Sequence, residues 1–347
     1  MYKERIVWMD ITRIIAILLV VFIHTLDWAM SMHLDLNTRQ WLFYQSARIF
    51  GRVGVPLFLF LSGALILPGI TKVDMISFYS KKIPHFLLLT IFYFLLTNIF
   101  TLYIHDKPID IITLTSFLLS GDTMAAGQLW FMFSIIGLYF MAPFLARMID
   151  SLKTNEIILL ATLSMSLVNL SEMYSIFFRK HLFLANIGSD FISGNIIYFI
   201  LGYLVYKRNV FAKTSKTLLL LGAVISFVLL LATQYYLKIT NNFVGEGFTW
   251  YNSLLIILIS LFIFALLSKI DLQLSINSLK LLQFFSKSSF CVFLFHLIPL
   301  LTISEYTKLI NMNIYVQIIT ISLATYLLCL VYYSFMVRFK LLRKLIL

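Results

Sequence analysis

Asp10-Ile-Thr-Arg13-Ile-Ile-Ala-Ile-Leu-Leu-Val-Val-Phe-Ile-His24-Thr-Leu-Asp27 is an apolar stretch of membrane length that carries four ionisable residues. A plain membrane anchor has no use for them. At 100° per residue, Arg13 and His24 are separated by about 20° on the helical wheel. Asp10 lies about 60° to one side of Arg13 and Asp27 about 40° to the other, so all four share an arc of roughly 100°. The opposite side is Ile, Leu, Val and Phe, which suits lipid. Burying a charge in hydrocarbon costs at least ~2.5 kcal/mol on the mildest scale, so the arc is expected to face a protein interior or a water-filled cavity. It reads as the wall of a functional site.

The rest of the chain has the same solvent in view. Of 347 residues, 61% are hydrophobic and 12% charged, with a mean hydropathy of +0.95. That balance belongs to a polytopic membrane protein. The net charge of +12 does not point to nucleic acid, because the basic residues flank the ends of apolar runs instead of forming one patch. Cys291 and Cys329 sit inside apolar runs and read as packing residues, with no disulfide framework and no metal site. A cleavable leader is not expected, since Asp10 and Arg13 interrupt the first apolar core and no small-x-small pattern follows.

With ~20 apolar residues needed per span, about ten segments emerge: 8–30, 45–68, 84–104, 129–147, 156–172, 191–206, 217–237, 250–268, 285–303 and 313–337. The fifth, sixth and ninth are short or interrupted, which leaves nine to eleven open. Eighteen Lys and Arg residues fall on one side of these spans and six on the other, so both termini are expected in the cytoplasm. Arg13, Arg48 and Arg52 lie inside spans. The expectation is an all-α polytopic transmembrane helix bundle formed by a single membrane domain over 1–347. An apolar piece at Ile109–Leu119, in the longest outer connection, is expected at the interface or as a re-entrant segment.

Four further places carry chemistry. Arg48 and Arg52, four apart, share a helix face. Arg48 is near enough to the outer interface to snorkel, whereas Arg52 is about 6 Å deeper and calls for an anion or a carboxylate such as Asp27 or Asp10. Lys81 and Lys82 precede Pro84, which reads as the opening of a helix; the pair is either a positive-inside cluster or a phosphate site. Trp130 follows Gln128-Leu129 at the start of a span and suits an interface. His296 lies in an apolar core, either satisfied by a backbone carbonyl or hydroxyl or assisting His24 in proton handling.

In this order the pieces resemble the acyltransferase-3 family of integral membrane acyltransferases. The residues that carry the resemblance are Asp10 with Arg13-x10-His24, Gly51-Arg52-Val53-Gly54-Val55-Pro56-Leu57-Phe58 with Ser62-Gly63, Phe78-Tyr79-Ser80-Lys81-Lys82, Leu129-Trp130-Phe131, and Ser289-Phe290 with His296. The resemblance covers almost the whole chain. It implies a ten-helix protein that moves an acyl group, usually acetyl, from cytoplasmic acetyl-coenzyme A to a hydroxyl of a surface or lipid-linked glycan, in a bacterial cytoplasmic membrane, without a metal. Arg13 and His24 map onto the family's arginine and histidine. Two departures stand out: Lys81, Lys82 and His85 replace an Arg-x-x-Arg pattern, and Gln128 stands where histidine is common.

On that reading His24 is the general base on the acceptor hydroxyl or an acyl carrier, and Arg13, oriented by Asp10, binds coenzyme A or stabilises the oxyanion. Lys81 and Lys82 are expected to help hold the donor. Arg52, Arg48, Asp27, Trp130 and His296 are expected to face substrate. The rival reading is a secondary transporter or glycan exporter, in which the same charges relay protons or bind an anionic solute.

Overall fold

The computed structural model describes residues 6–31, 36–120, 127–178, 194–240, 247–307 and 313–346. These form α1 (Val7–Ser31), α2 (Thr38–Gly51), α3 (Gly54–Ile70), α4 (Met75–Ile104), α5 (Ile111–Ser120), α6 (Trp130–Ser151), α7 (Thr154–Ser164), α8 (Ser171–Phe178), α9 (Ile196–Tyr206), α10 (Lys216–Ile239), α11 (Leu254–Leu267), α12 (Ile276–Phe295), α13 (Leu297–Thr307) and α14 (Ile314–Arg338). Among the described residues there is no strand. Only helices satisfy their own backbone without a neighbour, which is what hydrocarbon demands.

Among the described residues, seven helical segments are long and apolar enough to cross a membrane, and the pair α12–α13, bent by 69°, makes an eighth if it is one span. The helices α9 and α11 are apolar but have 11 and 14 residues, too short to cross ~30 Å of hydrocarbon by themselves. Each of the ten expected stretches is occupied by one of these, so the protein is an all-α, multi-pass membrane protein. The start of the 191–206 stretch and the cations Lys3, Arg5, Arg179, Lys180 and Lys308 lie outside the described residues. The connection between α4 and α6 holds α5, a helix of ten residues whose Asp110 caps the Thr113 amide and which leaves Ile111 and Ile112 more than four-fifths exposed.

The chain divides into two compact units. The first takes the described residues of Met1–Ile23, His33–Lys72 and Ala142–Gln283, and the second those of His24–Met32, Val73–Met141 and Phe284–Leu347. Helix α1 therefore contributes its first two thirds to one unit and its last turns, with His24 and Asp27, to the other.

In the first unit, close helix approach is bought with glycine. A Cβ on Gly54 would stand 2.8 Å from the Ala16 carbonyl oxygen, and one on Gly51 would stand 3.0 Å from the Ile23 Cβ, so the break between α2 and α3 lies flush on α1. Gly63 of α3 faces the Phe199 backbone and Gly202 of α9 faces the Phe60 backbone, each too near for any side chain. Arg208 donates to the carbonyls of Ile149 and Leu152, satisfying the end of α6. Arg208 is therefore a structural cap.

In the second unit an aromatic ladder joins three helices. Phe78 stacks on Tyr139, and Phe86 meets both Tyr139 and Phe290. Farther along, Phe131 meets Phe293 edge-on at 5.1 Å. Moving from Phe131 to Tyr139 along α6 thus corresponds to moving from Phe293 back to Phe290 along α12, and the two helices run antiparallel.

Candidate active site

The charged arc of α1 faces inward. Asp10 is 1% exposed, and Met9, Ala16, Ile17, Val20 and Ile23 on the same side are buried. The opposite side carries the partly exposed Ile11, Ile15 and Phe22 and the exposed Leu18, as a lipid-facing stripe requires. Arg13 donates from Nη1 to Asp10 Oδ1 at 3.0 Å, with 32% of its own side chain exposed. The pairing expected from the three-residue spacing is therefore present. A buried carboxylate fixes one edge of the guanidinium at a partly open position.

About two turns from the other end of α1, within the second unit, the His24 ring lies 5.1 Å from the His296 ring, tilted by 40°. His296 is fully buried at the bend between α12 and α13. Its Nδ1 is 2.8 Å from the Phe293 carbonyl oxygen and 3.1 Å from that of Val292. Carbonyls only accept, so Nδ1 carries the proton in the neutral ring. The Nε2 atom is then a lone pair, and it is buried with no hydrogen-bond partner among the described residues. The backbone-carbonyl reading of His296 holds, and its ring lies against that of His24.

A separate cluster in the first unit surrounds Arg52, which is 6% exposed. Its guanidinium lies 4.9 Å from the centre of the Trp250 ring and 5.3 Å from that of Tyr251, and Nη1 donates to the Tyr251 hydroxyl at 3.3 Å. The segment bearing these rings is held from two helices. Tyr198 of α9 donates to the Tyr251 carbonyl at 2.6 Å, and Asn169 donates to the Asn252 carbonyl at 2.7 Å. Asn169 projects from a π-helical turn, Met165–Leu170, inserted between α7 and α8. Phe248, Thr249 and Tyr251 are buried while Trp250 is 38% exposed, so the segment displays one large ring. Arg48 corrects the snorkelling expectation. It is as buried as Arg52, and its guanidinium lies 5.7 Å from the Tyr44 ring, because α2 is itself enclosed at this point.

The lysine pair departs from expectation in its setting. Helix α4 begins at Met75, not at Pro84, and its first amides are capped by Asp74, which accepts from Ser77 N at 2.8 Å. An N-cap at Asp74 outweighs a helix start at Pro84, and the proline is absorbed inside the helix. Lys81 and Lys82 are exposed on the second turn, away from the amides that were expected to join them. Trp130 opens α6 and is half-buried, its ring centre 6.2 Å from that of Phe131. Asp27 is half-buried near the end of α1. Both cysteines are buried and unpaired, and among the described residues no group of His, Cys, Asp or Glu is placed to hold a metal.

Residues 6–334 match the family model described as an acyltransferase domain. The chain belongs to the acyltransferase-3 family. No curated protein and no solved structure gives a match. The match takes in nearly the whole chain, including α1, the Arg52 segment and the His296 bend, so the two histidines and the two deep arginines belong to a membrane acyltransferase.

Four residues around these side chains escaped the sequence reading: Trp250, Tyr251, Tyr198 and Asn169. Tyr251 is 199 positions from Arg52, and no local period links them. Asn169 had a signal, being a carboxamide inside an apolar run.

Proposed function

We propose that this protein transfers an acyl group, acetyl in the simplest case, from cytoplasmic acetyl-coenzyme A to a hydroxyl of a surface or lipid-linked glycan. The observation that carries the reading is the His24–His296 pair, in which a half-buried imidazole lies against a fully buried one that has a nitrogen fixed as a lone pair. Neutral imidazole is the side chain best matched to taking a hydroxyl proton near pH 7.

The chemistry follows from the chain's own groups. Arg13, steadied by Asp10, binds a phosphate or the polar end of the donor. Along α1 it is about 16 Å from His24, a distance that an extended pantetheine arm spans. His24 removes the proton of the acceptor hydroxyl as the oxygen attacks the thioester carbonyl. His296 Nε2 accepts a hydrogen bond from a second hydroxyl of the acceptor and so orients the attacking one. The carbonyl oxygen becomes negative in the tetrahedral species, the C–S bond then breaks, and the departing sulfur takes the proton held on His24. Lys81 and Lys82, exposed on α4, add positive charge for the donor's phosphates. Arg52 with Trp250 and Tyr251 serves the acceptor, the indole face offering an apolar platform and the guanidinium a planar donor.

The direct test is to incubate the purified protein or its membranes with labelled acetyl-coenzyme A and candidate glycans. Covalent transfer of label to the glycan supports the reading. Solute flux with no acylated product would favour a transporter instead. The proposed direction of transfer also demands a topology. Reporter fusions after Lys153 and after Leu347 are expected to report cytoplasm, and an external signal from either would remove the cytoplasmic entry of the donor.

Arg52→Ala is expected to lower transfer by about tenfold or more, since a deep guanidinium has no water to replace its partners. Arg52→Lys should recover only part of this, because an ammonium lacks the planar fork. Arg48 is equally buried, so Arg48→Ala should reduce folded protein, and rate per folded molecule separates the two arginines. Full activity in Arg52→Ala at normal abundance would dismiss the acceptor role.

A further inference from the structure

Gln128 lies in a 3-10 turn, Gly127–Leu129, that leads into α6. It is 1% exposed, and both its Oε1 and its Nε2 are buried without a hydrogen-bond partner among the described residues. A carboxamide in that condition forfeits its hydration at both ends and gets nothing back. Leucine, of similar size, would avoid the loss. A residue so costly to the empty protein is explained by a group that arrives later.

The fold says where that group arrives. Helices α6 and α12 run antiparallel through the Phe131–Phe293 contact. Gln128 stands three residues before Phe131, just ahead of α6, and His296 three residues after Phe293, just past the end of α12, so both lie beyond the same side of this contact. His296 also presents a buried, unpartnered nitrogen, and His24 lies against it. Two side chains of the second unit therefore offer unmet hydrogen-bonding atoms at one end of one aromatic contact.

We propose that Gln128 is a substrate-binding residue that pairs with a secondary amide of a substrate held beside His24 and His296. Its two unmet atoms are an acceptor and a donor pointing the same way from one planar group. A hydroxyl oxygen cannot sit in line with both. A trans secondary amide meets one of them with its N–H or its C=O, and a second polar group of the same substrate meets the other. Two substrates of the reaction proposed above bring this chemistry. The pantetheine arm of acyl-coenzyme A has amides close behind the sulfur, and an amino-sugar acceptor carries an N-acetyl group. The inference rests on that reading for the identity of these sources, but not for the amide itself.

The test uses the purified full-length protein and Gln128→Leu. On the donor side, S-acetyl-N-acetylcysteamine, which has an amide, is compared with S-ethyl thioacetate, which has none. On the acceptor side, N-acetylglucosamine is compared with glucose. Wild type is expected to favour an amide-bearing partner by roughly tenfold or more in kcat/KM, and Gln128→Leu to lose that preference on one side. The side on which it collapses names the source. The melting temperature of Gln128→Leu should be equal to or above that of wild type, the reverse of what a structural glutamine would give. Preference retained on both sides overturns the inference, as does a lowered melting temperature with loss of rate in proportion to loss of folded protein. If wild type transfers from no thioester, the acyl-transfer reading fails and melting decides the rest. S-acetyl-N-acetylcysteamine or N-acetylglucosamine must then raise the melting temperature of wild type more than that of Gln128→Leu, while the amide-free partners show no such difference. Equal shifts in the two proteins overturn it.

Discussion

His24→Ala is expected to lower acyl transfer by about 10² to 10⁴ while acyl-coenzyme A still binds, because general-base removal acts on the chemical step. The nucleotide end of the donor is assigned to Arg13, eleven residues away on α1, so calorimetry on the purified variant should register donor binding close to wild type. The neighbouring ring supplies an internal comparison. His296→Asn keeps a donor near the position of Nδ1 for the Phe293 and Val292 carbonyls but removes Nε2. It should fold at normal abundance and lose activity. His296→Gln, whose amide reaches the position of Nε2, should retain more. Arg13→Ala, in contrast, should weaken donor binding along with rate. Near-normal transfer in His24→Ala would end the assignment of α1 as the catalytic wall, and would leave the family membership without a base on this helix.

The second large effect is on folding. Gly202→Val is expected to destroy the α3–α9 packing, since even a Cβ at this position collides with the Phe60 backbone and its partner Gly63 meets the Phe199 backbone. Neither obstacle is a side chain that can rotate away. Overpacking a well-filled core costs about 1–3 kcal/mol when side chains adjust, and here the helices themselves must separate. Yield of monodisperse protein on size exclusion in detergent should collapse. Gly137→Ala on α6 is the matched control. Nothing lies within 4 Å of its added Cβ, and relieving glycine's helix penalty gains up to about 1 kcal/mol. A normal elution profile for Gly202→Val would mean that α3 and α9 do not meet as described.

Much of this protein is legible from the chain alone. Hydrocarbon accepts only backbone that is satisfied within itself, so apolar runs translate directly into helices, and all ten stretches are occupied by them. The helical period places Asp10, Arg13, His24 and Asp27 on one face, and the burial of Asp10 opposite an exposed Leu18 follows from the same arithmetic. The ion pair of Arg13 with Asp10 is a three-residue contact and needs no fold to find it. Glycine at positions 51 and 54 announces close approach.

What the chain alone leaves open are relations that no period spans. That His296 meets His24 depends on a 69° bend after Phe295, and its free nitrogen depends on two carbonyls at that bend. Arg48 has the sequence position of a snorkelling side chain, yet α2 is enclosed there and the guanidinium is buried. Pro84 reads as a helix start until Asp74 is seen to cap the first turn of α4. Trp250 and Tyr251 reach Arg52 across nearly two hundred residues because Tyr198 and Asn169 hold their backbone. A sequence dictates which faces are apolar, through local geometry and solvent. Which polar atoms end up facing one another is decided by how whole helices pack, and that is a property of the tertiary structure.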